Sequence, residues 1–412
     1  MDGELERILK KAKQASREML LVNTETKNKA LESISKALRE NIDIILEENH
    51  KDMINADNNH MSEAMKDRLL LTEQRINNIA DDVLKLIDLK DPIGEVIRDI
   101  HRPNGLHIQQ VRVPIGVFGI IYESRPNVTV DIACLCLKSS NVCVLKGGKE
   151  AIHSNKILAN IINQAIEGIL PEGTVNLIEN NDRSMVTQLI QANDYVDVAV
   201  PRGGAGLIQH VVKNATVPVI ETGAGNCHLY IDKDADMKKA IDISINAKIQ
   251  RPSVCNAIET ILVHKDIAEA YLKELVKVFN KVEIRGDERV QEIISCKKAT
   301  DEDFATEYDD YIVAIKIVDN IHQVIEHIYN YSTKHSEAII TENEETAEYF
   351  LTALDSSCVY HNASTRFSDG GEFGFGAELG ISTQKLHARG PLGLTEMTSF
   401  QYRVKGNGQV RQ

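Results

Sequence analysis

Residues 113–131 read VPIGVFGIIYESRPNVTVD. Positions 117–122 form a short apolar run rich in β-branched and aromatic side chains; it stops at the polar ESRPN, and a helical pattern follows. The stretch therefore reads as strand, loop, helix. Four further runs repeat the design: 142–145 ends at KGGKE, 175–178 at ENND, 196–200 at PRGGAG and 217–220 at ETGAG. Strands alternating with helices imply a largely parallel sheet covered on both faces. Ligands of such sheets bind beyond the carboxyl ends of the strands, where these loops lie.

No GxGxxG fingerprint follows any of the strands. Gly203 and Gly204 of PRGGAG precede an expected helix at 207–213, so backbone amides there could face a phosphate, although glycines after a strand also serve as turn residues. Lys146 and Lys149 flank Gly147 and Gly148 and could supply charge to an adenosine ribose or its 2'-phosphate; solvated loop charge is the alternative.

Upstream, residues 1–90 read as helices, with Leu5, Ile8, Leu9, Ala12, Ala15 and Met19 on one stripe and Leu31, Ile34, Leu38, Ile42 and Ile45 on another. Thr72 is an expected N-cap. Asp91, Pro92 and Gly94 break that pattern, and 96–113 reads as a hairpin turning at Asn104–Gly105. Its exposed edge needs cover. Phe400, Tyr402 and Val404 alternate like a half-buried strand, so the C-terminus of this or another copy is the expected partner.

Downstream, IQRPSVCNAIET at 249–260 places Cys255 in a polar loop. Free cysteines are mostly inert buried hydrophobes, and Cys255 alone would be read that way. A second α/β unit follows, with strands expected at 260–263, 311–318 and 338–340 and helices at 267–279 and 321–328. It has no glycine-rich phosphate loop, which suits substrate and thiol contacts, with a crevice between the halves as the expected site. The glycine-rich 361–391 segment reads as a loop closing over substrate, with Arg366, His387 and Arg389 as carboxylate or phosphate ligands.

Composition narrows the function classes. Lys and Arg total 47 against 61 Asp and Glu, a formal charge of -14, which disfavours a general nucleic-acid or anionic-membrane surface. Seven cysteines without framework spacing suit a reducing compartment. Cys134 and Cys136 form a CxC pair without partner ligands for zinc, so no metal site is expected. The N-terminus carries no signal-peptide pattern, and a cytoplasmic protein is expected.

Taken in order, VPIGVFGIIYESRPNVTVD, VLKGGKEAIHSN, VPRGGAGL, VPVIETGAGNCH, RPSVCNAIET, STKHSEAIITEN and RFSDGGEFGFGAELGISTQKLHARGPLGL resemble the aldehyde dehydrogenase superfamily over essentially the whole chain. The resemblance implies two Rossmann-like α/β domains with parallel sheets plus a small β oligomerisation flap. It divides the chain into a dinucleotide-binding domain at 1–93 and 114–225, a catalytic thiol domain at 226–392, and a flap at 94–113 and 393–412. It makes Cys255 the catalytic thiol, Asn127 the oxyanion donor and Glu221 the counterpart of the general base. Lys146 then meets the adenosine ribose, with Lys149 beside it; Gly203 and Gly204 meet the diphosphate, and Glu307 the nicotinamide ribose. Arg125 replaces the usual aromatic near the asparagine, as expected for a phosphorylated substrate.

The implied reaction is NADPH-dependent reduction of L-glutamyl 5-phosphate to L-glutamate 5-semialdehyde through a cysteine thioester, in proline biosynthesis. Phosphate exchange needs no base to activate water, so the need for Glu221 stays open. A homodimer or homotetramer is implied, as is a separate glutamate 5-kinase that could form a transient complex. The alternatives are a coenzyme A-linked acylating enzyme and a catalytically silent nucleotide-binding protein of the same fold.

Overall fold

The computed structural model describes residues 1–411, and the chain divides into two compact units. The first comprises 1–222, 374–380 and 392–412; the second comprises 223–373 and 381–391.

Five helices open the first unit: Gly3–Met19, Thr24–Glu40, Ile42–Asn58, Glu63–Leu69 and Glu73–Asp88. The apolar stripe of the first is buried at Leu5, Leu9, Ala12, Ala15 and Met19. Thr72 caps the fifth, its hydroxyl accepting from the Arg75 N–H at 3.2 Å and satisfying one of the helix's orphan donors. The first of them packs on a four-stranded parallel sheet in the order Val175–Leu177, Val142–Gly147, Val117–Tyr122, Val198–Arg202, and the second, third and fifth pack on the helices Asn127–Lys138 and Ile152–Ile166. Every residue of the two central strands is buried, which explains runs with no polar alternation. The fifth expected strand, at 217–220, does not form; Val219 makes only an isolated bridge to Ala199.

The hairpin pairs Val96–His101 with His107–Pro114, and Gly105 takes φ +88°, a left-handed value that favours glycine. Thr398–Lys405 of the same chain adds the third strand, placing Phe400 opposite Arg112 and Tyr402 opposite Gln110. Contrary to the half-buried pattern expected, this strand is exposed from Ser399 onward, with Phe400, Tyr402 and Val404 at 51%, 55% and 55%.

The second unit holds a seven-stranded sheet, parallel throughout. Its order is Lys297–Lys298, Glu283–Gly286, Ile312–Val318, Ile258–His264, Cys227–Ile231, Ser336–Ile340, Cys358–His361. Leu229, Ile261, Ile315 and Ala338 meet in one buried cluster with helix residues Tyr271, Leu272 and Leu275. Among the described residues, no helix is long and apolar enough to cross a membrane.

Candidate active site

In the first unit, the carboxyl ends of three sheet strands open onto a cavity of about 800 Å³. Tyr122, Glu123, Lys146, Gly147, Lys149 and Arg183 contribute to its wall. Lys146 ends a buried strand and is itself buried; its Nζ donates to the Gly147 carbonyl at 2.9 Å. Burial pushes its ammonium below the ordinary lysine value. A desolvated ammonium bonded to the carbonyl of its own chain neighbour is suited to take further oxygen acceptors. Lys149 lines the same cavity and is exposed.

The helix Ala205–Asn214 begins at Gly204, whose own residue offers no side-chain cap. Instead the Glu123 carboxylate accepts the Gly204 N–H at 3.0 Å, an anion at a helix N-terminus. Glu123 and Arg183 were not singled out by sequence. ESRPN did mark Glu123 as polar at a strand end, whereas nothing local marks Arg183.

Asn127 is the first residue of Asn127–Lys138, and its amide donates to Asp131 Oδ2 at 2.9 Å, one turn along the helix. Burial pushes the Asp131 carboxyl up to about 6, against the lowering effect of that bond. Glu221 and Arg125 are both half-buried in this unit.

In the second unit, Cys255 lies on the turn between helix Met237–Ile249 and strand Ile258–His264, and is half-buried. Its carbonyl accepts from the Cys227 thiol at 3.1 Å. A Cβ on Gly225 would fall 1.5 Å from that same carbonyl oxygen, so only glycine permits this approach of backbone to backbone. The Gly225 N–H in turn donates to Glu307 Oε1 at 2.6 Å, which brings Glu307 to the segment that meets the nucleophile's turn.

A second set of bonds holds the turn from the other side. Thr365 Oγ1 donates to the Asn256 carbonyl at 2.7 Å, and Asn256 Nδ2 donates to the Arg366 and Ser368 carbonyls at 3.3 and 2.9 Å. Arg366 Nε donates to Gln250 Oε1 at 3.1 Å, and its Nη1 donates to Asn256 Oδ1. Thus Arg366 grips both ends of the Cys255 turn. The start of the 361–391 segment is accordingly built structure, with a short 3-10 turn at Thr365–Phe367.

Arg389 donates through Nη1 to the Asp355 carboxylate at 3.0 Å and through Nη2 to the Asp355 backbone carbonyl at 2.9 Å, and Lys385 adds a second cation to that carboxylate. His387 is exposed and left-handed at φ +75°. Behind the nucleophile's strand, Glu259 and Lys248 form a buried pair at 2.6 Å. Burial pushes the Glu259 carboxyl up to about 8 despite its partner.

Comparison with known proteins places these features in context. The sequence model described as "Aldehyde dehydrogenase family" matches residues 2–300. The chain is 56% identical over 405 residues to the gamma-glutamyl phosphate reductase of Clostridium novyi, covering 97% of each. It is 53% identical to that of Caldanaerobacter subterraneus subsp. tengcongensis, covering 99% of this chain and 100% of the relative. The crystal structure of gamma-glutamyl phosphate reductase from Thermotoga maritima superposes with a TM-score of 0.96 at 49% identity, covering 99% of this chain and 100% of the other.

Proposed function

The chain belongs to the aldehyde dehydrogenase family, and on that premise we propose that it reduces L-glutamyl 5-phosphate to L-glutamate 5-semialdehyde and phosphate, a step of proline biosynthesis. The observation that carries this reading is the near-full-length likeness to gamma-glutamyl phosphate reductases, 56% identity over 405 residues in one case. In it Cys255, as thiolate, attacks the acyl carbon, because the thiolate is the competent nucleophile. The C–O bond to phosphate breaks and a thioester forms. Asn127 is assigned to the oxyanion; a well-placed donor of this kind contributes roughly 3 kcal/mol.

Lys146 and Lys149 would hold the adenosine ribose side of a nicotinamide coenzyme, NADPH in this reading. The buried Lys146 ammonium facing a cavity of about 800 Å³ fits such a group, and both lysines line that cavity. Gly203 and Gly204 would meet the diphosphate, with Glu307 at the nicotinamide ribose. The bound coenzyme supplies the hydride. Release of the aldehyde then returns the Cys255 thiol. Glu221 is not needed as a base here, since phosphate departs and no water need be activated. Arg125 is the candidate for charge near the reacting centre, as a phosphorylated substrate requires, and Arg366, His387 and Arg389 are the candidates for carboxylate or phosphate contacts.

A kinase acting on the glutamate side chain must supply the acyl phosphate, and its lability favours a transient complex with glutamate 5-kinase. The working form is a homo-oligomer in the reducing cytoplasm. The test is an absorbance assay at the NADPH band with glutamate semialdehyde and NADP+. NADPH should appear only when phosphate is added. Turnover that requires coenzyme A instead would overturn the assignment.

A further inference from the structure

Arg366 is unusual among the arginines of the second unit. Arg285 and Arg389 are each paired with carboxylates, at 2.6 and 3.0 Å. Arg366 instead spends Nε and Nη1 on the neutral side-chain oxygens of Gln250 and Asn256. Those bonds fix the guanidinium against the turn that carries Cys255, and among the described residues its Nη2 donors meet no acceptor. Arg251 is exposed and directly follows Gln250, the residue whose side-chain oxygen accepts from Arg366 Nε at 3.1 Å. Among the described residues neither forms an ion pair.

Arg366 is half-buried against the turn on which Arg251 stands, and among the described residues no carboxylate pairs with either guanidinium. That arrangement is costly unless an anion occupies it. The nearby acidic groups do not fill the role. Among the described residues neither Asp369 nor Glu372 forms an ion pair with Arg366, and Asp369 Oδ1 accepts the backbone N–H groups of Gly371 and Glu372 at 2.8 and 3.3 Å.

We propose that Arg251 and Arg366 form the receiving site for the phosphate group of the acyl substrate, beside Cys255. This rests on the acyl-phosphate reading above and assigns its leaving group. The phosphate is bonded to the very carbon that the sulfur attacks, so it must lie next to the thiol. The α-carboxylate of the same substrate lies at the far end of the side chain. Guanidinium groups match phosphate oxygens with paired N–H donors, and the charge of a dianionic phosphate is better matched by two guanidinium groups than by one. As the S–C bond forms, the electron pair of the breaking C–O bond passes to phosphate, which takes a proton from solvent and leaves as hydrogen phosphate. Positive charge at that oxygen grows in worth as the bond breaks. In the reverse direction the same pair binds inorganic phosphate for attack on the thioester.

Arg251→Gln is the discriminating variant, since Arg251 is exposed and its loss removes no hydrogen bond that supports the turn. In the oxidative assay its phosphate KM should rise by about tenfold, the worth of one charge-assisted contact, with the semialdehyde KM within about twofold of the parent. Arg366→Lys, which keeps charge but not the fork, should raise the phosphate KM and lower kcat together. An unchanged phosphate KM in Arg251→Gln, or a rise confined to the semialdehyde KM, overturns the proposal. A second measurement does not depend on turnover: inorganic phosphate should slow alkylation of Cys255 by iodoacetamide in the parent and much less in Arg251→Gln. Equal protection in both rejects the site. A parent that turns over with coenzyme A and not phosphate rejects the function reading instead.

Discussion

The carbonyl of Cys255 accepts from one thiol, that of Cys227, and shares its turn with Asn256, which Arg366 grips. These are ordinary contacts, and their sum sets this cysteine apart from Cys134 and Cys136, whose thiols burial pushes well above the usual cysteine range. At the same scale Asp131 carries a measurable pH dependence. Its carboxyl is pushed up to about 6 from an ordinary 3.8, so the folded state holds its proton more tightly than the unfolded chain does. The stabilisation is therefore full below the ordinary value and is lost as pH rises through about 6. Moving from about pH 7 to about pH 5 should raise the unfolding free energy of the first unit through this group by on the order of 1 kcal/mol. Asp131→Asn should flatten that slope in urea titrations at the two pH values; identical slopes would assign the effect elsewhere.

The strand Thr398–Lys405 shows how an element can satisfy its sequence pattern without satisfying its surface. It pairs fully with His107–Pro114 on one side, while the other edge and the apolar row Phe400, Tyr402 and Val404 stay exposed. Edge strands of this kind template pairing with another chain. A second copy of this chain is the occupant expected of a homo-oligomer. Burying such side chains contributes roughly 1.5–3 kcal/mol each. Changing Phe400 and Tyr402 together to Glu should shift the sedimentation coefficient to that of the monomer; an unaltered oligomer would place the contact on another surface. The near edge of the hairpin is blunted by its own charges, with His101 and His107 stacked at 4.3 Å and Asp99 bonded to His107 at 2.6 Å.

For the whole molecule, neither unit is one continuous stretch of chain. The first is completed only by 374–380 and 392–412, which bring the buried Leu392 and Met397 and the Met397 carbonyl that accepts from Asn141 at 2.9 Å. Deleting 392–412 should therefore cost the first unit its protection, with amide exchange rising across Val142–Gly147 while Ile258–His264 in the second unit stays protected. Equal loss in both strands would contradict the division. The sequence by itself determined the alternation of strands and helices in the first sheet through Val198–Arg202, the Thr72 cap, the Asn104–Gly105 turn and the strand-end loops. Each of these is a local event, set by periodicity, backbone φ or a side chain bonding its own neighbours. It did not determine that CHLYI at Cys227–Ile231 is a fully buried strand, because His228 is tolerated there only through Glu337, which bonds it at 3.0 Å from 109 residues away. Nor did it exclude a strand at 217–220, or show that Arg366 holds the Cys255 turn rather than waiting free in a loop. Those outcomes rest on partners distant in sequence, and only the tertiary structure brings such partners into contact.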